Sequence, residues 1–200
     1  MKIYWLILKD LKVEFRRGFE LLSLLLFVLL VSLLISQSSY FLSESVLVPS
    51  LFILVIFISI FVSTMTFTKE MDKGTIFSIK LAPVHPSLVF TSKFIFTFIL
   101  VTLNGLIAIL FLVLFSSAYN LLNILHVFIL FSAYLSVVSS FSSALAMYSE
   151  SRSSLASMLI FIFVMPIIPS ILKMDVLILF IGFLVMFLTF ILLFDYIMEV

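Results

Sequence analysis

The 200-residue chain has no cysteine, which excludes disulfides, thiolate metal sites, haem attached through thioethers and lipidation at cysteine. Charge is also scarce. Only 10% of residues are charged and 64% are hydrophobic, with a mean hydropathy of +1.43, more apolar surface than a soluble domain of this size buries. Lipid must be the solvent. Glycine is rare as well: Gly18, Gly74, Gly105 and Gly182 form no phosphate-binding loop, and no Gly-Lys-Ser/Thr run exists, so the chain has no nucleotide machinery of its own. Of the two histidines, His85 falls in a loop and His126 at the far end of a hydrophobic run, so they cannot pair as axial ligands at one depth. A net charge of +1 points to neither nucleic acid nor an acidic partner.

What the chain does have is long apolar runs. About 20 such residues cross a hydrocarbon core of about 30 Å as a helix. Six are expected: Leu21 to Ile35, Val46 to Thr66, Phe94 to Phe115, Leu121 to Met147, Ser154 to Leu172 and Val176 to Phe194. The fold class is therefore all-α and polytopic, with residues 1–200 as one membrane domain. Pro166 and Pro169 should kink the fifth run and leave backbone groups that need partners on neighbouring helices. The 25 phenylalanines are read as bilayer-compatible bulk.

Residues 1–20 are expected to form an interfacial amphipathic helix, with Tyr4, Ile7, Leu8, Leu11 and Phe15 on one face and Lys2, Lys9, Lys12 and Arg16 on the other. A signal-peptide reading, with cleavage near Ser36-Gln37-Ser38, fits less well, because Asp10, Glu14 and Glu20 interrupt it and no Ala-x-Ala site follows. Basic residues divide sharply between the two sides. Lys2, Lys9, Lys12, Arg16, Arg17, Lys69, Lys73, Lys80, Lys93 and Arg152 share one side, and Lys173 stands alone on the other. By the positive-inside rule both termini and the 67–93 loop are cytoplasmic, in a plasma or inner membrane.

No Asp, Glu, Lys or Arg falls within these six runs. Charges at a helix centre usually serve proton relay, ion coupling or voltage sensing, so a proton- or sodium-coupled carrier is disfavoured. The fourth run carries Ser132, Ser136, Ser139, Ser140, Ser143 and Ala144 at helical spacing. Small residues let helices approach closely, so this stripe, like Asn104 in the third run, reads as helix packing or as the wall of a pathway.

The most specific segment is the 67–93 loop. A charged helix end at Lys69, Glu70, Asp72 and Lys73 should stop at Gly74. A short coupling helix from Thr75 would follow, offering Ile76 and Ile79 as apolar docking area, and Pro83 and Pro86 would end it before Lys93 opens the next span. The acids and lysines are expected to position this loop through individually weak surface ion pairs.

The Lys-Glu-x-Asp-Lys-Gly-Thr run at residues 69–75, then Ala82-Pro83-Val84 and Lys93, resembles the coupling loop of ABC export permeases, and of the CcmB family in particular. Residues 9–17 leading into Glu20, Ser151-Arg152, and the Pro166 and Pro169 pair are similar to that family too, so the likeness covers essentially the whole chain. The chain departs from it at Phe77 and Ser78, where the family carries a Glu. The resemblance implies a non-enzymatic permease subunit of an ABC transporter in haem export or delivery for cytochrome c maturation. It also implies a separate CcmA-like ATPase that binds the ATP, a CcmC-like haem-handling membrane partner, a homodimer or hetero-oligomer, and haem as possible cargo rather than bound cofactor. Two other readings stay open: an ABC permease for lipid or drug, and a non-transporting membrane anchor of a redox or assembly complex.

Overall fold

A computed structural model describes residues 2–16, 18–39, 46–76, 81, 84–116, 119–149 and 151–199, and no strand occurs among them. Helix α1 spans Lys2–Arg16 and α2 spans Phe19–Ser39. Helix α3, Leu47–Ser63, runs through a π-helical turn at Thr64–Thr68 into α4, Lys69–Asp72. Helix α5 is Pro86–Ser116, α6 is Leu125–Ala146, and α7, Arg152–Val164, passes through a 3-10 turn at Met165–Ile167 into α8, Ile168–Leu172. Helix α9 is Val176–Glu199. Among the described residues, six helical segments are long and apolar enough to cross a membrane.

The serine-rich α6 is the axis of the bundle. It packs against α9, α7, α5 and α3, and 83% of its apolar window is buried, against 11% for α9, which lies at the periphery. Ser132, Ser136, Ser139, Ser140, Ser142 and Ser143 are all fully buried. Several hydroxyls return to their own helix: Ser136 donates to Ser132 O at 2.6 Å and Ser140 to Val137 O at 3.0 Å. Across the interface with α5, Thr97 donates to Ser136 O at 3.2 Å, while Asn104 is buried and donates to Leu100 O at 2.8 Å. Close approach needs Gly105 of α5, where a Cβ would stand 2.6 Å from the Phe128 ring.

Two helix breaks, the expected one at Pro166 and an unexpected one at Thr66, each have a partner from α6. At the Pro166 turn, Tyr134 Oη donates to Phe163 O at 2.6 Å. At the π turn Thr66 leaves helical geometry, with φ −99° and ψ −120°. Thr66 Oγ1 donates to Ser143 Oγ at 2.6 Å, and the same oxygen accepts the Thr68 N–H at 3.2 Å. A π turn leaves backbone groups out of register, and Ser143 satisfies one of them.

Two boundaries differ from expectation, and the difference is functional. Pro86 begins a helix instead of ending one, because its missing N–H and fixed φ suit a first-turn position. The second run likewise continues through the π turn to Asp72. Lys93, placed by the sequence at the end of a loop, therefore stands within a helix, while Lys69 and Glu70 form the expected charged helix end as a continuation of the second span. The connecting segment shrinks to residues 73–85. Gly74, at φ +68°, closes α4 as expected, its N–H bonding Met71 O at 3.0 Å.

Candidate functional site

Helix α1 packs on α5, and it does so with the face that carries acids. Asp10 and Glu14 are buried, at 8% and 3% exposure, with Ile3, Ile7 and Leu11 partly buried beside them. Tyr4, Trp5, Leu8 and Phe15 point outward. The expected apolar face is thus split: Ile7 and Leu11 turn inward, while Tyr4, Leu8 and Phe15 stay outside. Buried acids require cations, and α4 and α5 supply them.

The resulting cluster joins four helices. Lys93 of α5, 3% exposed, bonds Asp10 Oδ2 and Glu70 Oε1, each at 2.8 Å. Lys9 reaches the same Glu70 oxygen at 3.2 Å and Asp10 Oδ1 at 3.4 Å. Lys69 donates to both oxygens of Glu14, at 2.9 and 2.8 Å, and to Glu20 Oε2 at the start of α2. Lys93 Nζ also lies 5.8 Å from the centroid of the Phe67 ring, within cation–π range. These are shared, largely desolvated pairs, and they replace the expected weak surface ones: the Lys93 side chain is 4% exposed and that of Glu70 11%.

Burial opposes charge in this cluster, and neighbours decide the balance. At Lys9 burial pulls the pKa down, but Asp10 and Glu70 outweigh it and the net shift is upward. At Glu14 burial prevails over the pull of Lys69, and the pKa rises. A cavity of about 220 Å³ opens between α1, α4 and α5, with Glu70 and Lys93 in its wall.

The remaining candidates divide. Asp72, Lys73, Gly74 and Thr75 are exposed at the end of α4, and Thr75 Oγ1 donates to Glu70 O at 3.1 Å, tying the segment to the cluster. Thr75 and Ile76 are helical. Ile76 is 1% exposed and belongs to the core, so it offers no docking area; the first residues of the segment fold back onto the bundle. Ile79 and Pro83 lie outside the described residues. Asn104, Ser132, Ser136 and Ser140 are buried in α5 and α6, with Ser136 meeting Thr97 across that interface, and line no part of this cavity. His126 is exposed, and His85 Nδ1 sits 2.8 Å from Ser87 Oγ at the start of α5.

Asp10, Glu14, Glu20 and Lys9 were not read as partners of the 69–75 segment. The signal lay in two acids four residues apart in an otherwise basic helix. What each acid met, 55 to 83 residues away, had no local trace.

An all-helical chain with six membrane-length apolar helices and a polar cluster at one end is a multi-pass membrane protein. The family model described as "CcmB protein" matches residues 1–179, and the chain belongs to the CcmB family. Membership makes it a component of an ABC permease complex rather than an enzyme. No curated protein and no solved structure matches it.

Proposed function

We propose that residues 1–200 act as one permease domain of an ABC transporter complex in haem export or delivery for cytochrome c maturation, with ATP hydrolysed by a separate, CcmA-like subunit. A CcmC-like membrane protein would handle the haem. Family membership supports the class, and one observation carries the mechanism: Thr75, just past α4, donates to the backbone carbonyl of Glu70, whose Oε1 is shared between Lys9 of α1 and Lys93 of α5. A push there reaches two helices at once. The concentration of lysines at this end supports a cytoplasmic placement for it and for both termini.

In this reading the exposed Asp72, Lys73 and Gly74 meet the ATPase, while Lys69, Glu70 and Lys93 transmit the displacement. The π turn above α4 is the joint at which the second span yields. Co-purification of the ATPase subunit tests docking. Charge reversal at Asp72 and Lys73, or Gly74→Pro, should abolish it, whereas Lys69 or Glu70 reversal would confound loss of docking with loss of fold. Deletion of the gene should remove c-type cytochromes; their persistence would favour a lipid or drug permease or a non-transporting anchor.

A further inference from the structure

We infer that the outward face of α1 docks anionic phospholipid, its cations on the lipid phosphates and its aromatic side chains against the upper acyl chains. The inner side of this helix is already occupied. Its two acids are held inside the protein, Asp10 by Lys93 and Glu14 by Lys69. Because Lys93 lies near the start of the membrane-length α5, the Asp10 bond fixes α1 at the end of a span, at the level of the lipid headgroups.

With both acids turned inward, the outward face carries cations and no acid among the described residues. Lys12 and Arg16 are exposed and pair with no acid among those residues, and the Lys9 side chain is 46% exposed. Lys9 gives one N–H to Glu70 and points another toward Asp10, so a third remains for an outward acceptor. Spacings of three and four put positions 9, 12 and 16 on one stripe.

The rest of that face is apolar. Tyr4, Trp5, Leu8 and Phe15 point outward. A groove of about 520 Å³ brings the two characters together, lined by Trp5, Leu8, Leu11 and Phe15 with Lys9 and Lys12. Tryptophan and tyrosine favour the headgroup level of a bilayer, and basic residues on an amphipathic helix draw anionic lipid to it. A zwitterionic headgroup would bring its own cation to a surface that holds no acid. An anionic headgroup brings only its phosphate, so charge selects it. The surface depends on membrane residence and not on which cargo the complex carries.

Trp5 is the only tryptophan in the chain, so its emission reports this face alone. The full chain is placed in nanodiscs of equal phosphatidylglycerol and phosphatidylcholine, with bromine on the acyl chains of one lipid or the other. Each basic residue that meets a phosphate should enrich the anionic lipid about fivefold, so brominated phosphatidylglycerol should quench Trp5 far more than brominated phosphatidylcholine. The paired substitution Lys12→Gln and Arg16→Gln should remove most of that difference, and Lys173→Gln, in the turn between α8 and α9, none of it. The paired variant breaks no described ion pair, so its melting temperature should match that of the wild-type chain. Equal quenching by the two lipids in the wild-type chain would overturn the proposal, as would a difference that persists in the paired variant. Absence of quenching by either lipid would place the face outside the bilayer and overturn it too. Loss of the difference on adding inorganic phosphate at constant ionic strength would overturn the lipid as occupant.

Discussion

The centre of the bundle and its basic end both bury polar groups, by opposite means. In α6 the donating hydroxyls mostly turn back to carbonyls three or four residues earlier, as Ser136 and Ser140 do. Such bonds need nothing from another helix, and the serines act mainly through their small size. At the basic end every pair except Lys9–Asp10 and Lys93–Glu70 bridges segments at least 49 residues apart. Local satisfaction permits close packing, whereas distant satisfaction makes one helix answer to another. Ser143 stands between the two regimes, since its hydroxyl serves the π turn of a different span.

The sharpest break of this contrast is Lys93→Met. It strands Asp10 and Glu70 as buried carboxylates with only the half-exposed Lys9 nearby, and should cost about 3–5 kcal/mol, read as a lower melting temperature in detergent. A loss no larger than that of a surface lysine would dissolve the distinction. Ser143→Ala removes a bond to Thr66 and one to the Thr68 N–H, and should cost about 1–2 kcal/mol by the same measurement.

A smaller effect follows from Glu14. Its folded pKa is raised above the ordinary 4.5, so the folded chain holds a proton that the unfolded chain has released. That term favours folding below 4.5 and weakens as pH rises through the folded value. Its signature is a melting temperature that gains from mild acidification, and Glu14→Gln should flatten it. Ser140→Ala should change stability by less than about 0.5 kcal/mol, because Val137 O keeps its place in the helix ladder without the hydroxyl. A larger loss would mean that the α6 serines act across helices after all.

Much of this organisation is legible in the residue order. Apolar run length locates the six spans to within several residues, Gly74 stops α4, and Pro166 breaks the fifth span. The resemblance carried by residues 69–75 led to the family that the whole-chain comparison shows. The cluster was half legible. Lys69 and Glu70 stood out as a charged helix end but were given surface ion pairs, and Lys93 was left at the end of a loop, since a proline is as able to open a helix as to close one. Ile76 was misplaced for the same reason: a short apolar patch after a turn does not say whether it faces a partner or its own core.

Composition and hydropathy by themselves determined that this chain lives in lipid, as helices, with its charges kept to the ends. Those properties are sums over neighbours in sequence, and the bilayer reads them directly. Only the tertiary structure decided which charges meet. Asp10 finds Lys93 because α1 lays its acidic face on α5, and Glu14 finds Lys69 because the second span continues through a π turn sealed by Ser143. Electrostatic pairing depends on distance in space, and 55 to 83 residues of intervening chain leave that distance unspecified until the helices have packed.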